Sequence, residues 1–130
     1  NVVLMQDSPT PDSNVPICLG RADWWGESLS QCDTPRALAL DPAIIAAERA
    51  AATATGSAYV DLTDSFCGAT FCPAILRDDI VYRDDSHRAT RYAARLAAPL
   101  AVALLPLIGS SAANPAGAIP LAPRGPAANL

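Results

Sequence analysis

Asp41-Pro42-Ala43-Ile44-Ile45, continued to Gly56 and then Ala58-Tyr59-Val60-Asp61-Leu62, is the stretch that decides the fold class. Asp41 has the short acceptor side chain of an N-cap. Pro42, at the first helical position, brings a preset φ where its missing N–H costs nothing. The pattern predicts a helix to about Thr55, stopped by Gly56 as a C′ residue. Ile44, Ile45 and the alanines are expected to pack on a sheet while Glu48 and Arg49 face water. Ala58 to Leu62 reads as a strand, and so does Val2-Val3-Leu4-Met5, a buried strand halted by Gln6-Asp7-Ser8-Pro9. Strand, helix, strand in this order implies a right-handed crossover and a parallel sheet, hence α/β architecture.

Outward from that unit the chain is less regular. Pro9 to Arg36 reads as a long loop, with Pro9, Pro11, Pro16 and Pro35 as breakers, and Cys67 to Ile75 as a second loop. Ile80-Val81-Tyr82 is a short extended piece, and a final helix is expected from about Arg88, with Tyr92, Leu96 and Leu100 on one face. Arg88, Arg91 and Arg95 form a stripe on another face. The plain reading of that stripe is a solvated surface; the sharper one is a contact to an anionic substrate. Leu96 to Ile108 is too short for a spanning helix, which needs about 20 apolar residues, and Pro99 and Pro106 interrupt it. It is read as a terminal core helix. Residues 1–108 form one domain, and 109–130 an Ala/Pro/Gly-rich tail expected to be disordered.

The 130 residues, 51% apolar, suffice for one core, although alanine supplies much of that fraction. A net charge of -4 argues against nucleic acid, because no basic patch exists to displace counterions from phosphates. It also gives no reason for docking on an anionic membrane. Four cysteines fall into two close pairs, Cys18/Cys32 and Cys67/Cys72. Two disulfides would fit an oxidising compartment, and closing the larger loop is worth roughly 3 kcal/mol in the chain-entropy model. A zinc site using the thiols with His87 is the competing reading, against which stand the lack of a C-x-x-C knuckle and of a second histidine. The chain opens at Asn1 on an apolar run, which is expected of the C-terminal piece of something longer.

The only histidine stands in Asp84-Asp85-Ser86-His87. Residues three apart on a turn project to the same side, so the Asp84 carboxylate can accept the imidazole Nδ1–H. That leaves Nε2 to take a proton from a serine hydroxyl. On spacing alone, a histidine in a helix's first turn bonded by a neighbour is the commoner case. Asp85 would point elsewhere, as a cap for the following helix. Trp24-Trp25 beside Cys18 and Cys32 would either form a local mini-core or stack on a sugar ring.

Flanking segments add a resemblance. Val2 to Pro11, Asn14-Val15-Pro16-Ile17-Cys18, Asp61-Leu62-Thr63-Asp64-Ser65-Phe66-Cys67, Cys72-Pro73 and Val81 to His87, in that order, resemble the extracytoplasmic SGNH domain of acyltransferase-3 family membrane proteins. The resemblance covers roughly the first hundred residues and both cysteine pairs. It implies a three-layer α/β/α SGNH-hydrolase-like fold with a parallel sheet, of which the N-terminal part is missing here. It further implies a serine-type O-acyltransferase or esterase that moves an acyl group, expected to be acetyl, to a cell-envelope glycan. His87 would be the general base and Asp84 its orienting carboxylate. The family's Gly-Asp-Ser nucleophile block and its oxyanion-binding Gly and Asn are not found in this sequence, so no nucleophile is assigned and the chain alone is expected to be inactive. The residue after the family's histidine is usually an inward-packing leucine; here it is Arg88.

The partners implied are the glycan acceptor, an upstream SGNH segment and a membrane acyltransferase domain of the same parent chain. The implied location is the periplasm or cell surface, with the parent anchored in the plasma membrane. No cofactor or metal is expected. The alternative from another class is a secreted, disulfide-tied carbohydrate-binding or scaffold module.

Overall fold

A computed structural model describes residues 2–109; the expected tail lies outside the described residues, apart from Gly109. The chain mixes helices with very short strands. The strand β1 (Val3–Met5) pairs in parallel with β3 (Ala58–Val60), in the register Val3 to Ala58, Leu4 to Tyr59 and Met5 to Val60. Between them run α1 (Val15–Trp25), a 3-10 turn (Leu29–Cys32), β2 (Thr34–Pro35), α2 (Arg36–Ala39) and α3 (Pro42–Thr55). After β3 come a second 3-10 turn (Thr63–Ser65), β4 (Phe71–Cys72), β5 (Ile75–Leu76), β6 (Asp79–Ile80), α4 (Thr90–Arg95) and α5 (Ala97–Gly109). β2 pairs antiparallel with β4, and β5 with β6. The architecture is α/β with a small parallel sheet.

The α3 boundaries follow their caps. Asp41 accepts from the Ala43 and Ile44 amides at 2.8 and 3.4 Å, and Gly56 closes the helix at φ 64°. The faces follow expectation in part, with Ala52 buried, Ile45 half-buried and Arg49 exposed, but two residues depart from it. Ile44 is exposed, whereas Glu48 turns inward to accept from the Asp7 amide and the Tyr59 hydroxyl. Arg49 stacks 4.5 Å over the Tyr59 ring and pairs with Asp61 at 3.1 Å. Nearby, Gln6 is buried and donates to Thr63 Oγ1 at 2.7 Å. The carboxyl end of the parallel pair is thus sealed by polar groups that satisfy one another.

Four further expectations are corrected. Residues 9–36 are not a loop. Asn14 caps α1 by accepting from the Ile17 amide, Pro16 sits in the first turn where it lacks nothing, and Gly26 supplies the left-handed terminus. Residues 67–75 likewise include paired strands, β4 and the start of β5. β1 is not a buried strand: Val3 and Leu4 are half-buried and Met5 is exposed. Nor does Leu96 to Ile108 form a core helix. Helix α5 runs through Pro106, and its Val102, Leu105 and Ile108 are exposed. By length and composition alone, Thr90–Ile108 is also long and apolar enough to cross a membrane.

The core lies instead around α1. Val15, Leu19 and Ala22 of that helix meet Ala39, Phe66, Ala74, Val81, Tyr82, Tyr92 and the cystines. Both expected disulfides are formed, Cys18–Cys32 and Cys67–Cys72, so no thiol is left for a zinc site. Trp24 and Trp25 make no mini-core: they are 81% and 70% exposed. Phe66 and Tyr92 pack ring to ring at 5.6 Å, and the Tyr92 hydroxyl donates to the Ser65 carbonyl.

The arginine stripe is structural. Asp79 of β6 has a side chain only 1% exposed, and it is covered by Arg91 at 2.6 Å and by Arg95. Arg91 and Arg95 are exposed, as a solvated face would be, and they also supply the paired cations that a buried carboxylate requires. Either arginine alone keeps the carboxylate paired. The variant lacking both, Arg91→Ala with Arg95→Ala, is therefore expected to lose about 3–5 kcal/mol, more than the sum of the single losses. Urea denaturation of the four proteins checks this.

Candidate active site

Residues 83–87 form a short loop closed at its base. Tyr82 and Arg88 face each other in an antiparallel bridge, the Arg83 amide donates to the His87 carbonyl at 3.0 Å, and the Ala89 amide donates to the Val81 carbonyl at 2.9 Å. Val81 is fully buried below. The five loop residues therefore project outward from a fixed stem.

Inside the loop Asp84 organises the chain around its own carboxylate. Oδ1 accepts from the Ser86 amide at 2.8 Å and from the His87 amide at 2.6 Å. Oδ2 lies 2.9 Å from His87 Nδ1, and Oδ1 lies 3.1 Å from it. These bonds, led by the two backbone amides, hold the Asp84 carboxyl well below the usual range, at about 2. The pair expected from the spacing of three is thus present, and His87 presents its ring with 64% of the side chain exposed. Nε2 is the nitrogen left over for proton transfer.

Ser86 does not supply a nucleophile. Its hydroxyl lies 3.3 Å from Nδ1, the nitrogen already facing Asp84, and it also reaches Asp84 and Asp85. Among the described residues, no serine hydroxyl bonds Nε2. Asp85 is not a helix cap. It faces Ser86, and α4 begins after Ala89 without a side-chain cap.

Sequence reasoning noted Arg88 in the arginine stripe and after the histidine, but not as the residue that anchors the loop. Arg88 lies over the Tyr82 ring at 4.9 Å and the Phe66 ring at 5.4 Å. Its guanidinium donates to the Ser86 carbonyl at 2.7 Å, to the Pro9 carbonyl at 2.9 Å and to Ser8 Oγ. The buried Tyr82 hydroxyl donates to the same Pro9 carbonyl at 2.9 Å. Burial pushes that phenol up to about 12, against the pull of the nearby Arg88 charge. A neutral phenol and an arginine thereby fasten the histidine loop to the segment leaving β1. Position 88 packs inward here too, as an aromatic-stacked cation. The only signal in the sequence was its place directly after the histidine.

The Asp84 shift has a measurable sign. Its folded value lies below the ordinary 3.8, so the carboxylate's support for the loop is full above 3.8 and fades as pH falls through about 2. Carbon-detected NMR is expected to show the Asp84 carboxyl titrating near 2, with the Ser86 and His87 amides following it. A midpoint near 3.8 would refute the bonding pattern.

A family model described as SGNH domain (fused to AT3 domains) matches residues 1–102. No curated protein matches the chain, and neither does any solved structure.

Proposed function

We propose a function from the premise that this chain belongs to the family of SGNH domains fused to AT3 domains, which are hydrolase- or acyltransferase-like. It is the part of such a domain that carries the general base and its carboxylate. The observation that carries this reading is the bond between His87 Nδ1 and Asp84 Oδ2 at 2.9 Å, with no hydrogen bond to Nε2 among the described residues.

The chemistry runs as follows. A serine supplied from outside this chain, in a Gly-Asp-Ser block, gives its proton to His87 Nε2 as its oxygen attacks the acyl carbonyl. The imidazolium that forms is held by the Asp84 carboxylate, which stays ionised throughout the neutral range. The imidazolium returns its proton to the departing donor group, leaving an acyl-serine ester. A sugar hydroxyl of a cell-envelope glycan, or water, then attacks that ester while His87 takes its proton and passes it back to the serine. The acyl group transferred is acetyl in this reading.

The same reading completes the sheet into a three-layer α/β/α domain with an upstream SGNH segment of the parent chain. It places the domain outside the cytoplasm, joined to a membrane acyltransferase domain in the plasma membrane. Two disulfides support that location, since such bonds persist in oxidising compartments.

The test is aryl-acetate hydrolysis by a parent chain that includes a Gly-Asp-Ser block. His87→Ala is expected to lower kcat/KM by about 10³-fold or more, and Asp84→Asn by a smaller but large factor, because an unactivated serine is a poor nucleophile. Equal activity in wild type and His87→Ala, or none in either folded protein, would make His87 structural and bring the non-catalytic module to the front.

A further inference from the structure

A concavity of about 450 Å³ opens along α1, on the face next to the one that carries the core residues Val15 and Leu19, and the core residue Ala22 forms part of its floor. Asn14, Ile17, Arg21, Trp25, Glu27 and Gln31 line it. We propose that it is a saccharide-binding subsite. The Trp25 indole serves as the platform for the apolar face of a sugar ring, and Arg21, Glu27 and Gln31 meet the hydroxyls at its rim.

Three features support this assignment. The first is that the aromatic surface is unused by the fold. The sequence has two tryptophans, and both stand on the surface, Trp25 at 70% exposed, although the core lies one helix face away. An indole left in water offers a large apolar area that a sugar's C–H face can cover.

The second is that the polar rim is only partly satisfied within the protein. Gln31 Nε2 donates to Glu27 Oε2 at 2.8 Å, which orients both side chains. It leaves the other Glu27 oxygen, the Gln31 carbonyl oxygen and one Gln31 N–H for a ligand. Arg21 is exposed and makes no hydrogen bond or ion pair with any described residue. Donors and acceptors of both kinds suit hydroxyls, each of which donates and accepts. An anionic ligand would face the Glu27 carboxylate, and a purely apolar one would strand the rim.

The third is rigidity. The Cys18–Cys32 bond ties α1 to the 3-10 turn carrying Gln31. Gly26, at φ 68°, ends the helix directly after Trp25, with its amide on the Ala22 and Asp23 carbonyls, and the Glu27 amide returns to the Ala22 carbonyl at 2.8 Å. Platform and rim are held before any ligand arrives, which reduces the ordering cost of binding.

One end of the cleft is tied to the histidine loop through a short run of chain. The Pro9 carbonyl is fastened beneath that loop by Tyr82 and Arg88, and Asn14 is five residues further on, at most about 18 Å away for an extended chain. The saccharide-binding assignment does not rest on the acyl-transfer reading.

Because the two tryptophans are adjacent and Trp25 lines the cleft, indole emission reports on this region of the chain. The 130-residue chain is titrated with a linear N-acetylglucosamine tetrasaccharide and with a linear glucose tetrasaccharide. A saturable change in emission with at least one of them is expected, with Kd on the order of 1 mM or tighter. Calorimetry with the same sugar is expected to show binding at least tenfold weaker in Trp25→Ala and in Arg21→Ala. Trp25 fills no core position, so its removal leaves the fold intact. No saturable change with either sugar, or unaltered binding in Trp25→Ala, would overturn the proposal. The titration reads binding and not acyl transfer, so it fails or succeeds independently of the His87 assay.

Discussion

The guanidinium of Arg88 joins parts of the chain that sequence keeps eighty residues apart. It lies on the Tyr82 and Phe66 rings, reaches the Pro9 carbonyl beyond β1, and holds the Ser86 carbonyl inside the histidine loop. A partly desolvated cation over an aromatic face is worth about 1–2 kcal/mol, and its bonds to carbonyls are charge-assisted. One nitrogen, Nε, is buried without a hydrogen-bond partner among the described residues. The arrangement accepts that cost because the cation fills a site between two rings and two strands of backbone. Without it, the backbone stem and Tyr82 would still hold the loop, but the Ser86 carbonyl and the Ser8–Pro9 segment would lose the cation that joins them.

What could be read from the sequence was what neighbouring residues decide. Asp41 and Gly56 bound α3 through contacts within a turn, and the Asp84–His87 pair is made within four residues. Failures came where a distant partner decides. Glu48 looks solvated until Tyr59 and Asp7 are placed beside it. Arg91 and Arg95 look free until β6 brings Asp79 under them. Helix α1 escapes the sequence reading for a different reason: Pro16 reads as a breaker unless the Asn14 cap, which makes a proline welcome in the first turn, is weighed with it. Apolar composition made α5 and β1 look buried, yet composition measures only the tendency to be covered, and not the presence of a cover.

The packed core is built from α1, two cystines and the loops, while the β1–α3–β3 unit sits at its side with Ala52 and Val60 as its buried apolar residues. This distribution has a consequence for function. Helix α1 with the tryptophan cleft and the segments that carry the histidine loop are braced by two disulfides and by the Arg88 and Asp79 charge clusters. The SGNH family match and the disulfides together fit an extracytoplasmic setting, where such bonds endure.

The most direct measurement is the tautomer of His87, read by nitrogen-15 NMR at a pH where the ring is neutral. The chain has a single histidine, so the two ring-nitrogen signals are unambiguous. A proton on Nδ1, bonded to Asp84, with a bare Nε2 facing outward, is the result predicted for a general base. A proton resident on Nε2 would mean that Asp84 does not orient the ring, and would contradict the account.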